Sequence, residues 1–383
     1  MVRESLGSHL DARILVITGP RQLEFLSRRL PRPGSGDVVV ETLFSGISHG
    51  TEMNVYRGLA PQWTKRFDRD LRLFLPVAAT QRAVPPERGY WTAADTHWDY
   101  PLAYGYANVG RVTALGSAVD TLKEGDLVYA YQPHQTAYVA PAASVIRLPD
   151  LTNPATGILY SNLCTAYGGV LDADIRLDDT VVVFGQGMVG LLVTQYLRRT
   201  AARRIITVEK IPERQRMSVQ FGADECLDPT RVDVALAVRE RTGGRGADVV
   251  IEASGAYAAL QEAIRTAAPN TTVVALSWYG GTGGALALSD EFHHNRITIR
   301  SSQVGGIAPE LAASHSLSRR AEHVIDWFGE LDLDPLLTTI VPFEHAAGAY
   351  QLIDQRGDEA IQVVLYYGSD SPDSTSAQSA RAD

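Results

Sequence analysis

Lysine is nearly missing from this chain of 383 residues: it stands only at 65, 123 and 210, and arginine supplies the other 32 of 35 basic residues. Against them stand 44 acidic residues and a formal net charge of −9, so no basic field favours nucleic acid or an anionic membrane as partner. Cysteine is scarce too. Cys164 and Cys226 cannot build a disulfide framework or a four-thiolate zinc lobe, which suits a reducing compartment. No apolar run approaches the roughly 18 residues that a membrane span needs. No charged-then-apolar leader with a small-residue cleavage site is visible either, and the expectation is a cytoplasmic protein. What is present is ordinary for a globular fold: 45% hydrophobic and 21% charged residues, in a chain long enough for two domains.

The most informative stretch is 180–209. It reads as a strand (180–184), a glycine turn, a helix to about Thr200 and a second strand ending at Glu209. The turn is Gly185, Gln186, Gly187, Met188, Val189, Gly190, a G-x-G-x-x-G with a strand before it, a helix after it and an acidic residue about 20 positions on. Gly185 serves the tight turn, Gly187 lets a pyrophosphate approach bare backbone, and Gly190 lets helix and strand pack closely. The helix N-terminus offers unpaired N–H groups to phosphate. Glu209 is placed to accept from the adenosine ribose hydroxyls. These residues predict a dinucleotide site, with Lys210, Ser254 and Gly255 at its edge.

Short strands with glycine and proline punctuation at 37–44, 109–115, 126–131, 136–140 and 144–148 predict a small β-barrel-like domain. Asn153 and Pro154 give a helix start. From Thr180 strands and helices alternate through about 300, which predicts a doubly wound parallel sheet. Residues 309–329 read as helix, 337–341 and 360–367 as strands returning to the first domain, and 369–383 as a disordered tail. The expected division is 11–157 completed by 306–368, with 158–305 as the nucleotide domain. Between Tyr56 and Tyr104 lies a long aromatic insertion holding Trp63, Phe67, Phe74, Tyr90, Trp91, Trp98 and Tyr100. It reads equally as a wall of the substrate site or as a dimer contact or satellite hydrophobic cluster.

This layout resembles the medium-chain dehydrogenase/reductase superfamily over nearly the whole chain. Besides the glycine turn, the resemblance rests on 46–52 (GISHGTE), 125–128 (GDLV), 221–224 (FGAD), 247–255 (ADVVIEASG) and 299–305 (IRSSQVG). It implies a GroES-like barrel domain beside a Rossmann domain, and hydride transfer between a nicotinamide cofactor and a small-molecule substrate in a homodimer or homotetramer. Zinc-dependent members carry a cysteine in a G-I-C-x-T/S-D segment, then G-H-E, then another Cys or Asp. Here those places hold Ser48, the triplet Gly105, Tyr106, Ala107, and Ser161, with His49 the one remaining donor suited to zinc. The chain therefore reads as zinc-free, and the Ser-His-Gly-Thr-Glu stretch at 48–52 and the C-terminal half look most like zinc-independent members near the bacteriochlorophyllide a dehydrogenase type, which oxidise a secondary hydroxyl with NAD.

Without a Lewis acid, side chains must carry the developing charge and the proton. His49, Thr51 and Tyr106 are the candidates. His49 titrates in the range where it can act as acid or base, and otherwise reads as a loop histidine. Thr51 either donates to substrate or cofactor or caps the turn at 52–56. Tyr106 either donates its phenol or is a core tyrosine. Glu52 supports the loop, and His134 reads as structural. Glu209 argues for NAD over NADP, because a carboxylate repels a 2′-phosphate. Lys210 and Arg214 leave open an NADPH-dependent reductase of enones or quinones, and a dinucleotide-binding protein without turnover is the third reading.

Overall fold

The structure, a computed structural model, describes residues 11–77, 90–93, 98–284 and 286–368, and among these, eleven strands, one short α-helix and two 3₁₀ turns precede residue 150. The strands and the α-helix are β1 (Asp11–Gly19), β2 (Gln22–Arg29), β3 (Asp37–Ile47), α1 (Thr51–Tyr56), β4 (Lys65–Asp68), β5 (Leu73–Pro76), β6 (Trp91–Thr92), β7 (Leu102–Ala103), β8 (Asn108–Leu115), β9 (Leu127–Ala130), β10 (Ala137–Pro141) and β11 (Val145–Arg147). β3 is the organising strand. It pairs antiparallel with both β8 and β10, and its valines at 38 and 40 are fully buried in the barrel core. Long β-branched runs suit a strand packed on both faces.

The nucleotide unit begins with α2 (Tyr160–Asp172) and alternates from there: β12 (Thr180–Phe184), α3 (Met188–Leu197), β13 (Arg204–Val208), α4 (Pro212–Gln220), β14 (Glu225–Leu227), α5 (Val234–Arg241), β15 (Val249–Glu252), α6 (Tyr257–Thr266), β16 (Thr272–Ala275) and β17 (Thr298–Ser301). Its six strands are parallel, in the order β14-β13-β12-β15-β16-β17. β12 and β15 sit at the centre, and every residue of both is buried. The order reverses between them, the switch point where open α/β sheets bind ligands. Local chemistry starts the helices. Pro212 stands in the first turn of α4, and the Asp233 carboxylate accepts from Leu236 N–H at 2.9 Å to cap α5.

After α7 (Leu317–Trp327) the chain returns to the barrel through β18 (Thr339–Pro342), α8 (Ala346–Arg356) and β19 (Val363–Tyr366). β19 lies antiparallel to the end of β3, with Val363 opposite Ile47 and Tyr366 opposite Phe44. The GroES-like barrel and the Rossmann sheet are thus both present. The chain divides into one unit of residues up to Ile158 with those from Leu337, and a second unit of Leu159–Leu336.

The return begins at 337 rather than 306 because 306–336 is held in the nucleotide unit. Arg320, nearly buried on α7, donates to the carbonyls of Val304 and Gly306, and the Gln195 side chain bonds the backbone of Asp332 twice, at 2.9 Å each. The helix expected over 309–329 is shortened to α7, whose start is fixed by the Ser316 hydroxyl accepting from Arg319 N–H at 3.1 Å. The hairpin β1–β2 and the helix α8 had no counterpart in the sequence reading. The expected tail at 369–383 lies outside the described residues.

In the aromatic insertion, Trp63 stacks on Tyr100 with centroids 4.4 Å apart, and Trp98 meets both Trp63 and Tyr104 edge-on at 6.0 and 5.5 Å. Trp63, Trp98 and Tyr100 pack with Met53, Tyr56 and Tyr350 as part of the barrel core. Residues 78–89, 94–97 and the Trp91 side chain lie outside the described set. Among the described residues, no helix is long and apolar enough to cross a membrane.

One close approach holds β3 and β8 together. A Cβ on Gly110 would stand 2.3 Å from the carbonyl oxygen of Glu41 and 2.6 Å from a Val40 methyl. Gly110→Ala should cost about 1–3 kcal/mol by overpacking, read as a lower urea midpoint at unchanged slope. An unchanged midpoint would show that the two strands can separate freely.

Candidate active site and cofactor cradle

The turn from β3 into α1 carries the reactive side chains of the barrel unit. The β3–β8 pairing brings the segment after β7 beside this turn, with Gly46 N–H donating to the Ala107 carbonyl at 2.9 Å. Gly105 takes a φ of +125°, and a Cβ there would meet the His134 ring at 3.0 Å, so glycine is needed for the chain to pass. Tyr106 is part-buried, and the side chains of Ser48 and Thr51 lie near enough to its phenol to affect its pKa. Burial pushes the phenol up to about 12, with the Glu52 carboxylate adding to the rise and the two hydroxyls opposing it. A group with that pKa is protonated across the neutral range and acts as a donor.

Two of the three expected reaction-centre residues, Thr51 and Tyr106, are therefore neighbours, and Ser48 stands with them. Thr51 does not cap its helix: Gly50 occupies the cap and no side chain bonds there. His49 sits on the same turn, half-buried, with its Nε2 atom enclosed. Sequence reasoning underrated the layer behind. Glu52 is fully buried, receives Ser48 N–H at 3.1 Å, and bonds His134 Nε2 at 2.7 Å and the Tyr350 hydroxyl. A carboxylate beside the apolar Met53, Val55 and Tyr56 of a short helix was the available signal; nothing in the run around Tyr350 pointed to it.

The cradle of the nucleotide unit is built by sterics and by two buried carboxylates. A Cβ on Gly190 would lie 1.9 Å from Gly185 O, and one on Gly185, whose φ is +85°, would lie 2.6 Å from Ser254 Cβ. Gly187 has open space around it and begins α3 with no side-chain cap, so the first N–H groups of the helix remain for an anion. Gly185, Gly187 and Val189 are partly accessible, whereas Met188 and Gln186 turn inward. The buried Gln186 amide bonds Gly185 O and the Thr194 hydroxyl at 3.0 and 2.9 Å, so only its backbone belongs to the cradle.

Glu209 is more than a ribose acceptor in waiting. Its carboxylate is nearly buried and takes N–H bonds from Gln186 at 2.8 Å, Lys210 at 2.8 Å and Ile211 at 3.0 Å. It clamps the glycine turn to the end of β13. A carboxylate has about four lone-pair sites, so room for a further donor remains. Lys210 itself is exposed. Across the switch point Glu252 does the same for the next loop, accepting from Ser254 N–H at 2.7 Å, from Gly255 N–H and from the hydroxyls of Ser254 and Tyr279. Ser254 is exposed and Gly255 partly so, both at the mouth of the switch point. These residues fit a dinucleotide: small residues where phosphate approaches, an open helix end and a carboxylate at the end of the second strand.

Zinc does not fit the barrel residues. Hydroxyls of Ser48 and Tyr106 occupy two of the ligand places, and neither is a thiolate, imidazole or carboxylate. The nearby imidazole and carboxylate, His134 and Glu52, are committed to each other and to Ser45, Ser48 and Tyr350.

Comparison with known proteins bears on the nucleotide unit first. Residues 189–319 match the family described as zinc-binding dehydrogenase. The nucleotide unit is thus similar to the zinc-binding dehydrogenases over these residues. Over 355 residues the chain is 28% identical to D-guloside 3-dehydrogenase of Escherichia coli K12, covering 91% of this chain and 98% of that protein. It is 31% identical over 236 residues to (R,R)-butanediol dehydrogenase of Bacillus subtilis, covering 54% and 65%. An Escherichia coli CFT073 alcohol dehydrogenase solved in complex with NADH shares the fold, with a TM-score of 0.70 at 19% identity over 93% and 99% of the two chains.

The clamp makes a prediction. Glu209→Ala leaves three N–H groups without their acceptor, so the apo protein should lose about 1–3 kcal/mol and melt earlier. NAD should bind roughly ten- to a hundredfold more weakly, the worth of about 1.5–3 kcal/mol for hydrogen bonds to a charged group. Weakened NAD binding with an unmoved melting curve would leave only the ribose role.

Proposed function

We propose that the protein is an NAD-dependent oxidoreductase that transfers a hydride between the cofactor and a secondary alcohol or its ketone without zinc. The observation that carries this is that Ser48, Thr51 and Tyr106, three hydroxyl-bearing side chains, are neighbours in the segments that the resemblance aligns with a metal site. NAD, when bound, supplies the hydride acceptor or donor. Gly185, Gly187, Val189 and the N-terminus of α3 would hold its phosphates, Glu209 its adenosine ribose, and Ser254 and Gly255 the far side.

The Tyr106 phenol hydrogen-bonds the carbonyl oxygen and gives it a proton as charge develops there. Ser48 and Thr51 orient the phenol and offer the onward path for that proton. In the oxidation direction the same groups receive the carbinol proton. His49, on the same turn, is the other side chain that could take the proton role. Glu209 favours NAD over NADP by charge.

The names of the guloside and butanediol dehydrogenases support a hydroxylated substrate whose reacting carbon is a secondary alcohol. A homodimer or homotetramer in the cytoplasm completes the reading.

The direct test is nicotinamide absorbance with purified protein, NAD or NADP, and a panel of sugars, cyclitols, diols and enones. Tyr106→Phe should lower kcat by roughly 10²–10⁴, the span for a positioned acid–base group, with NAD affinity held. Thr51→Val should act in the same direction. If Tyr106→Phe turns over normally, His49→Ala is the next variant, and loss there would move the proton role to the imidazole.

Metal independence is tested separately. Activity should survive exhaustive chelation, with well below one zinc per chain by elemental analysis. Stoichiometric zinc whose removal abolishes turnover would sink the zinc-free mechanism. Because the Tyr106 phenol is pushed up to about 12, the reduction rate should hold between pH 8 and 10 and fall only as the pH approaches that value. A fall centred near neutrality would point to His49 instead.

A further inference from the structure

Behind the hydroxyl cluster runs a line of buried polar groups that no step of the proposed reaction touches. Glu52, His134 and Ser45 are at most 1% exposed. His134 Nε2 lies 2.7 Å from Glu52 Oε1, and its Nδ1 lies 2.6 Å from Ser45 Oγ, which is 2.8 Å from the Tyr367 hydroxyl. The Tyr350 hydroxyl donates to the same Glu52 oxygen as His134, and Ser48 N–H donates to the other at 3.1 Å.

The donors and acceptors assign the protons. A carboxylate that takes Ser48 N–H and Tyr350 O–H is acting as an acceptor, so the proton between it and the imidazole belongs to Nε2. Nδ1 then accepts from the Ser45 hydroxyl, and Ser45 accepts from Tyr367. Each hydrogen points the same way, from Tyr367 through Ser45 and His134 to Glu52. Oriented chains of this kind hold every member in one rotamer, because reversing any link orphans a buried group.

The far end of the chain is the reaction-centre turn. Glu52 lies one residue beyond Thr51 and holds the backbone of Ser48, so it ties together the two residues of this turn that neighbour Tyr106.

We propose that His134 is a positioning residue for hydride transfer: by orienting Glu52 it fixes the turn of residues 48–51 beside the Tyr106 phenol. This rests on the dehydrogenase reading above. The upward push of the Glu52 carboxylate on Tyr106 acts in the same sense, keeping the phenol a donor. The sequence placed His134 as structural; the geometry gives that structure a catalytic consequence.

The experiment compares His134→Leu with His134→Gln. Leucine fills the space and removes both ring nitrogens. Glutamine can present an amide N–H to Glu52 and a carbonyl to Ser45. His134→Leu should lower kcat by roughly ten- to a hundredfold, since small displacements of reacting groups cost that much, while the KM for NAD moves less than about twofold. His134→Gln should recover kcat to within about threefold of the unaltered protein. A role in packing alone lowers the melting temperature of both variants and leaves kcat per folded molecule unchanged, which overturns the proposal.

Should His134→Leu fail to fold, Ser45→Ala carries the test, because it removes only the donor to Nδ1. About a three- to tenfold loss in kcat is expected there, and wild-type kcat counts against the proposal. A second readout needs no turnover. Ring nitrogen shifts of ¹⁵N-labelled protein, assigned by their disappearance in His134→Gln, should show the proton on Nε2 with Nδ1 bare; a proton on Nδ1 overturns the assignment. If the unaltered protein oxidises and reduces nothing with nicotinamide, the dehydrogenase reading falls and the catalytic clause goes with it. Normal turnover in the variants removes the inference alone.

Discussion

A carboxylate cut off from water must find donors inside the protein, and the fold around Glu52 is arranged to supply them. Removing such a charge from solvent costs several kcal/mol before any partner is counted. Three donors meet it, from three places far apart in the chain: Ser48 after β3, His134 before β10 and Tyr350 on α8. Each arrives by a different structural route. β3 delivers the turn, the positive φ of Gly105 lets His134 pass close behind it, and the C-terminal return brings α8 back to the barrel. The pairing of β19 with β3 also sets Tyr367 beside Ser45, which closes the chain behind His134. The return segment thus has a chemical reason as well as a packing one, since without it Glu52 and Ser45 would each lose a donor or acceptor.

The nucleotide unit repeats the device twice. Glu209 at the end of β13 and Glu252 at the end of β15 are both buried, and both spend their oxygens on the backbone of the loops beside the switch point. Loops that bind phosphate must leave N–H groups free and must be rich in glycine, which makes them entropically costly to order. Anchoring each by a carboxylate on the rigid strand beneath it holds the turn without filling the space where a ligand enters. Under the proposed NAD reading, Glu209 would hold the turn and select the cofactor at once, because the carboxylate that clamps Gln186 also carries the charge that disfavours a 2′-phosphate.

Most of the nucleotide unit was legible in the sequence because its signals are local. The glycine turn, the buried run 180–184 and the Pro212 helix start each carry their reason within a few residues. The barrel was legible only in part. The β1–β2 hairpin lacks the strict alternation that announces a half-buried strand, since its first strand is buried on both faces from Ile14 to Ile17. The helix α8 begins in Ala346, Ala347 and Gly348, a weak start with no side-chain cap. The boundary at 337 depends on Arg320 and Gln195 reaching carbonyls over 100 residues apart in one case, which no local pattern encodes. Thr51 and Tyr106 could be singled out from the segment they occupy. Ser48 was seen only as a missing ligand, and His134, Tyr350 and Tyr367 could not be connected to it at all, because their meeting is a product of topology.

On the proposed zinc-free mechanism, hydroxyl stands at 48 and phenol at 106 where the resemblance places a thiolate and an imidazole, and this alters what the site must guard against. A metal centre draws its power from a cation whose charge the ligands partly neutralise, and its surroundings can be anionic without penalty. A cluster of neutral hydroxyls has no such reserve. Its strength depends on every hydroxyl pointing at the oxygen where charge develops, with no reorganisation left to do at that moment. Hydroxyl rotors are free unless something fixes them, so the demand for order moves outward from the ligands to whatever holds the turn. The Glu52 carboxylate meets both requirements: it locks the Ser48 backbone in place, and its negative charge makes loss of the Tyr106 proton less favourable. A phenol held near 12 is poorly suited to ionise and well suited to donate, which is what a carbonyl oxygen gaining charge requires of its partner.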